Sequence, residues 1–266
     1  MAIVNVTPDS FADGGERFDP DRAIADAVRL VAEGADLIDI GGESTRPGAA
    51  ALPAADELRR VEPVLEGLRG RVDVPISIDT YKAEVADRAL DLGATIVNDV
   101  SGLVFDPGLA DVVARRQAAV VLMHTRGRPR EMYAEAAYDD VVGEVTSELA
   151  ARVEAAQAAG IARERVIVDP GLGFAKRAGH SLLALAGLTG FGALDRPLLV
   201  GPSRKSFLTS ALGERPPADR VWGTAAAVTA AVLFGAHIVR VHDVAPMADV
   251  VRVADALRNT RSDSAD

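Results

Sequence analysis

The sequence predicts an α/β protein folded as a single-domain (β/α)8 TIM barrel, and three observations predict it. Eight short apolar runs are spread along the chain, the stretches between them have helical periodicity, and 266 residues is slightly above the usual size of one such barrel. Each run also breaks off at residues able to do chemistry. Ile3-Val4 leads into Asn5, Leu37-Ile38-Asp39-Ile40 into Gly41-Gly42-Glu43-Ser44-Thr45-Arg46, and Pro75-Ile76-Ser77-Ile78 into Asp79. Thr95-Ile96-Val97 leads into Asn98-Asp99, Val120-Val121-Leu122-Met123 into His124, and Val166-Ile167-Val168 into Asp169. The last two are Leu198-Leu199-Val200 before Gly201-Pro202-Ser203-Arg204-Lys205, and Ile238-Val239 before Arg240-Val241-His242-Asp243.

A parallel barrel gathers the carboxyl ends of all its strands at one rim, so residues far apart in sequence meet there. The predicted site is therefore Asn5, Asp79, Asn98, Asp169, Lys205, Arg240 and His242. Arg240 and His242 alternate by two along the last strand, which places both on one face. Lys205 follows a strand and opens a helix, where its side chain is expected in the barrel mouth.

The intervening segments justify the outer ring. Asp19-Pro20-Asp21 caps a helix over 22–33 that Gly34 stops, and a second helix follows Leu52-Pro53 and ends near 67–70. Further helices are expected over 82–92, 108–116, 141–159, 181–188, 206–212, 221–234 and 246–257. Their Ala-rich faces suit packing against strands. The domain then covers 1–258, and the polar residues 259–266 are expected as a disordered tail.

Composition excludes several classes. Hydrophobic residues make up 48% of the chain, enough for the inner packing and the helix-facing layer, and no linker divides it. The formal net charge of −10 argues against a broad nucleic-acid surface, which is usually basic. With no cysteine there is neither a disulfide nor thiolate chemistry. No apolar run approaches membrane-spanning length and no targeting segment is visible, so no membrane partner and a cytoplasmic location are expected.

Three loops are too long and unusual for plain connections. Residues 5–15 mix turn formers, two carboxylates and an aromatic; 41–48 set hydroxyls and a guanidinium beside a Gly pair, a composition suited to gripping an anion. Residues 125–138 carry Arg126, Arg128 and Arg130 without periodicity and read as a solvated loop.

The strings NVTPDSFADGG at Asn5, GGESTRPGA at Gly41, SIDT at Ser77, VND at Val97, DPGLGFAK at Asp169, GPSRKSF at Gly201 and RVHDV at Arg240 resemble those of the dihydropteroate synthase family, in order and over essentially the whole chain. The resemblance implies an enzyme of folate biosynthesis, a transferase that joins 6-hydroxymethyl-7,8-dihydropterin pyrophosphate to para-aminobenzoate, releasing pyrophosphate and 7,8-dihydropteroate. It implies that Asp79, Asn98, Met123, Asp169, Lys205 and Arg240 bind the pterin, whose flat edge of donors and acceptors suits carboxylates, an amide and an ammonium. It implies that Asn5, Thr45, Arg240 and His242 hold the pyrophosphate, with Mg2+ bridging Asn5 and the phosphates, and that Phe11, Arg46, Pro47, Phe174, Lys205 and Ser206 form the para-aminobenzoate pocket. Asp13, Lys205, Arg240 and His242 are the implied catalytic residues of a dissociative step. A homodimer through late outer helices is implied as well. So is sulfonamide sensitivity, since no insertion interrupts 44–47.

Two other readings stay open at this level: a pterin-binding methyltransferase barrel, which would not need the carboxylates of 5–15, the Thr45-Arg46-Pro47 segment or the Arg240–His242 pair, and a folded homologue that has lost activity. If Asp13 favours the developing cation, Asp13→Ala lowers turnover far more than it weakens pterin binding. Comparable losses in steady-state rates and in direct pterin titration would contradict that role.

Overall fold

Among the described residues eight parallel strands form the predicted barrel. The computed structural model describes residues 1–7, 19–46, 48–134 and 136–263. Strands β1 (Ala2–Asn5), β2 (Ile38–Gly41), β3 (Ile76–Asp79), β4 (Ile96–Asp99), β5 (Ala119–Met123) and β6 (Val166–Asp169) pair in sequence order as one parallel sheet. β7 (Leu199–Val200) and β8 (Ile238–Val239) form a second parallel pair. Two single bridges, Val168 to Leu198 and Ala2 to Val241, join the pair to the sheet on both sides. The closing seam is drawn tighter by Ile3 N–H to Val241 O and Val241 N–H to Met1 O, each 3.0 Å, and by the amino group of Met1 on Val239 O at 2.9 Å.

The strands alternate with helices α1 (Pro20–Ala32), α2 (Ala54–Leu68), α3 (Ala83–Asp91), α4 (Leu109–Arg116), α5 (Val141–Ala158), α6 (Ala178–Ala186), α7 (Thr209–Leu212), α8 (Val221–Leu233) and α9 (Val244–Asp263). The start of α1 shows why the sequence folds this way locally. The Asp19 carboxylate accepts from Asp21 N at 3.0 Å and Arg22 N at 3.3 Å, satisfying free amides of the first turn, and Pro20 stands where no amide is needed. Ala23, Ile24, Ala27 and Leu30 then recur on one face and are buried.

Strand alternation sorts side chains into two layers. Ile38 and Ile40 are fully buried among Val61, Leu65 and Leu68 of α2, in the layer between barrel and helices. The interior holds the opposite set. Met1, Ile96, Val121 and Leu199, packed with Leu37, Ala119, Ile167 and Ile238, plug its lower end, so the polar residues one or two positions further along the strands sit above an apolar floor. Register keeps them level: Asn5 pairs with Gly41, Gly41 with Asp79, and Asp79 with Asn98.

Three expectations are corrected. α6 begins at Ala178 rather than 181, and a 3-10 helix over Leu188–Leu194 follows where a loop was expected. The expected helix over 206–212 is a 3-10 turn, Ser206–Leu208, running into the short α7. α9 continues to Asp263, past the expected onset of a tail at 259, because Thr260 Oγ1 and Asn259 Nδ2 find helical partners at Ala256 O and Asp255 Oδ2.

The turn after β6 is intolerant of side chains. Gly171 has φ +68°, and a Cβ there would lie 2.1 Å from the carbonyl oxygen of His124. Gly171→Ala is expected to destabilise the fold by about 2 kcal/mol or more in urea unfolding. Gly179→Ala in α6, where an added Cβ meets nothing within 4 Å, is expected to be neutral or stabilising by up to ~1 kcal/mol.

Candidate active site

The deepest polar layer of the mouth is a buried charge cluster. Arg240, one residue beyond β8, places Nε 2.6 Å from Asp39 Oδ2 and Nη2 2.7 Å from Asp79 Oδ2. Asn98 Nδ2 donates to the same Asp39 oxygen at 2.9 Å. Asp39 is fully buried, and Asp79 and Asn98 nearly so. Burial pushes the Asp79 carboxyl up to about 7, the Arg240 charge opposing and the Asp39 charge adding to the rise. Burial works equally against the Arg240 charge, yet Asp39 and Asp79 hold it above the ordinary guanidinium value. Asp39 Oδ1, Asp79 Oδ1 and Ser77 Oγ are buried with no partner among the described residues, which leaves acceptors for a ligand rich in N–H groups.

A second polar pair faces this cluster from β6 and the loop after β7. Asp169 Oδ1 accepts from Gly171 N at 2.7 Å, and burial raises its carboxyl while Lys205 pulls it back. Lys205 donates to Leu172 O and lies 4.7 Å over the Phe174 ring. Burial lowers its ammonium to about 8 against the pull of Asp169. Phe174 packs with Met123, Tyr81, Val100 and Phe105, so the predicted Met123 floor and Phe174 wall are one apolar surface. That surface is held from behind: the buried Lys176 Nζ donates to Phe174 O at 3.1 Å and to His124 Nδ1 at 2.8 Å, and His124 Nε2 meets Glu148 at 3.0 Å.

The upper rim gathers the rest. His242 follows Arg240 by two residues as expected, and its backbone N–H donates to Ser203 Oγ at 3.2 Å while Nδ1 lies 3.0 Å from the same oxygen. Burial, with Arg204 and Arg240 nearby, lowers the imidazole to about 3, and Arg46 adds to that field. The ring is therefore neutral at pH 7, and in the tautomer in which the Ser203 hydroxyl donates to Nδ1 the Nε2–H has no partner among the described residues. Asn5 ends β1 half-buried, Thr45 is half-buried, and Arg46 and Ser206 are exposed at the same end. Ser206 also lines a cavity of about 270 Å³ with Tyr133, Gly173, Lys176, Arg177, Ala178 and Phe207. A larger hollow of about 690 Å³ lies over α1 and contains none of these residues. Phe11, Asp13 and Pro47 lie outside the described residues.

Asp39 and Lys176 escape a reading confined to strand ends, and His124 and Ser203, which do follow strands, gain their place through partners that reading does not supply. Asp39 had a signal: it stands alone among apolar residues with the inward parity of Gly41. Two of the three arginines of 125–138 take different places. Arg126 is tied to Glu144 and Glu148 and lies 4.1 Å over Tyr138, so it braces the loop, whereas Arg128 lies 4.5 Å over Phe105 beside the apolar wall. Among the described residues no group of three or more His, Cys, Asp or Glu side chains could hold a metal ion. No helix among them is long and apolar enough to cross a membrane.

A barrel with this mouth defines a class, and residues 1–242 match the family of pterin binding enzymes. A dihydropteroate synthase of Synechocystis is 48% identical over 97% of this chain and 89% of its own length. The solved dihydropteroate synthase of Xanthomonas albilineans with 4-aminobenzoic acid is 46% identical, with a TM-score of 0.90 over 97% of this chain and 92% of that one. The Yersinia pestis dihydropteroate synthase in complex with a sulfonamide drug is 42% identical, with a TM-score of 0.92 over 97% and 93%. The chain belongs to the dihydropteroate synthase family.

The neutral His242 carries a pH signature. An unfolded histidine takes up its proton near 6.5, the folded one only near 3, so its contribution to stability is complete above 6.5 and is lost as pH falls toward 3. Between pH 5.5 and 4, unfolding free energies of the wild type should fall more steeply than those of His242→Gln, by at most about 1.4 kcal/mol per pH unit. Parallel slopes would place a protonated ring in the folded state.

Proposed function

We propose that this transferase joins 6-hydroxymethyl-7,8-dihydropterin pyrophosphate to para-aminobenzoate, with the pterin in the buried layer and the second substrate against Phe174 and Lys205. The observation that carries this reading is the ring of Asp39, Asp79, Asn98, Asp169, Lys205 and Arg240 over an apolar floor. Its buried carboxylate oxygens accept from the amino and ring N–H groups of a pterin, and Lys205 donates to the pterin carbonyl. Arg240, fixed by two carboxylates, presents its planar face and charge at the junction of ring and pyrophosphate, a use for which Lys is no substitute.

In the reaction the bond between the pterin methylene carbon and the pyrophosphate oxygen breaks, and its electron pair leaves with the anion. The cation so formed is spread into the pterin, where Asp79 and Asp169 favour it. His242 Nε2–H, Arg240 and Thr45 hold the departing pyrophosphate. The amine of para-aminobenzoate then attacks the methylene carbon, forming the C–N bond, and its proton passes to the released pyrophosphate or to water. Phe174 and Lys205 hold the ring that carries that amine, with the carboxylate of the second substrate toward Ser206 and Arg46.

Magnesium fits the donors present as an ion shared with the substrate. Asn5 offers one amide oxygen at the strand end and no protein cage accompanies it, which suits an ion that prefers oxygen and keeps several waters. When bound, Mg2+ supplies positive charge to the leaving group. A homodimer is supported by large apolar side chains exposed on the outer helices, Trp222 on α8 and Val253 and Leu257 on α9. A cytoplasmic location suits the cysteine-free chain.

Purified protein given the pterin pyrophosphate, magnesium and para-aminobenzoate is expected to release pyrophosphate and form 7,8-dihydropteroate, each dependent on both substrates. A sulfonamide should compete with para-aminobenzoate. Arg240→Ala should lower kcat by about 10²-fold or more. Tight pterin binding without product would instead mark an inactive homologue.

A further inference from the structure

We propose that Glu43 is a positioning residue that fixes the root of the loop carrying Thr45 and Arg46, and thereby governs binding of the second substrate; this rests on the synthase reading above. Gly42 and Glu43 follow β2 directly, and both are clamped. Arg60 Nη1 donates to Gly42 O at 2.8 Å, and a Cβ on Gly42 would lie 2.8 Å from Val61 Cγ1 and 2.9 Å from Glu57 Cγ, so the backbone rests on α2. Glu43 then uses both carboxylate oxygens. Oε2 pairs with Lys82 Nζ, which also pairs with Glu57. Oε1 accepts from Tyr81 Oη at 3.1 Å and from Leu52 N at 3.2 Å.

Those contacts join parts that matter to the site. The bond to Leu52 N ties the far end of the loop back to its start, so one carboxylate holds both ends of the span 43–52. The bond to Tyr81 couples the loop to the apolar wall, since the Tyr81 ring packs edge-on against Phe105 at 5.4 Å and shares a cluster with Met123 and Phe174. Further along, Ala49 N donates to Arg46 O at 3.0 Å and Gly48 N to Pro129 O at 3.2 Å. The side-chain bonds among the described residues of the span fall at its root.

Stability alone is a poor explanation of the arrangement. The Glu57 side chain is fully buried and those of Glu43 and Lys82 are 9% and 13% exposed, and buried ion pairs often contribute no more than apolar replacements of the same volume. What apolar packing does not supply is direction. Three hydrogen-bonded partners converging on one carboxylate define where Thr45 and Arg46 begin, and binding surfaces depend on such support.

The experiment compares wild type, Glu43→Gln and Tyr81→Phe in three readouts: affinity for an unreactive pterin, KM for para-aminobenzoate and thermal midpoint. Glu43→Gln should raise KM for para-aminobenzoate by about tenfold, and Tyr81→Phe should raise it several-fold. Pterin affinity should stay within about twofold in both, because Glu43 and the Tyr81 hydroxyl bond to Leu52, Lys82 and each other and not to Asp39, Asp79, Asn98, Asp169, Lys205 or Arg240. An unchanged KM, or a loss of pterin affinity as large as the rise in KM whatever the thermal midpoint, would overturn the proposal. Should Glu43→Gln fail to fold, Tyr81→Phe decides on the same comparison, since it removes only a hydroxyl. Wild type that makes no product would sink the synthase reading instead, a separate outcome.

Discussion

Arg240 bridging Asp39 and Asp79 is the interaction on which the rest of the mouth depends. It links the last strand to the second and third across the interior, spanning 201 and 161 residues of sequence. Neither partner could remain charged alone at that depth, because an unpaired buried ion costs several kcal/mol. The cluster is thus interdependent. Asn98 adds a second bond to the Asp39 oxygen that Arg240 holds and leaves Asp39 Oδ1 open, with an apolar plug beneath.

The same constraint explains why the cations sit where they do. Lys205 and Arg240 are embedded among carboxylates, so they order the mouth before any substrate arrives and need little rearrangement during the reaction. His242 is treated oppositely: burial and neighbouring guanidiniums keep it neutral, and it offers an N–H without adding another charge to the rim. Above this fixed layer the chemistry of the second substrate is delegated to loops. Their roots are braced, by Arg126 with Glu144 and Glu148 on one side and by Lys82 with Glu43 and Glu57 on the other.

Much of this was legible from residues alone, for a physical reason. A parallel barrel sends every strand end to one rim, so Asn5, Asp79, Asn98, Asp169, Lys205, Arg240 and His242 could be named by locating where apolar runs stop. Asp39 was not, since it lies inside a run and only the period-2 alternation marks it as inward. Ser203 and Lys176 were invisible for a different reason: their partners, His242 and His124, are 39 and 52 residues away, and no local pattern encodes such a pairing. The start of α6 and the 3-10 helix after it were missed because Gly179, Gly187 and Gly190 weaken the helical signal.

The two single bridges that seat β7 and β8 give the barrel an unequal wall. Six strands share continuous ladders, whereas the remaining pair is sewn in at its edges by Val168 to Leu198 and Ala2 to Val241. Yet that lightly sewn pair bears Lys205, Arg240 and His242, while the carboxylates Asp39, Asp79 and Asp169 belong to the continuous part. The polar groups of the mouth are therefore divided across the seams, carboxylates on the firm side and the two cations with the neutral His242 on the yielding side. A molecule gripped by both halves acts as a rivet through the wall, and its binding free energy is at once a contribution to keeping the barrel shut.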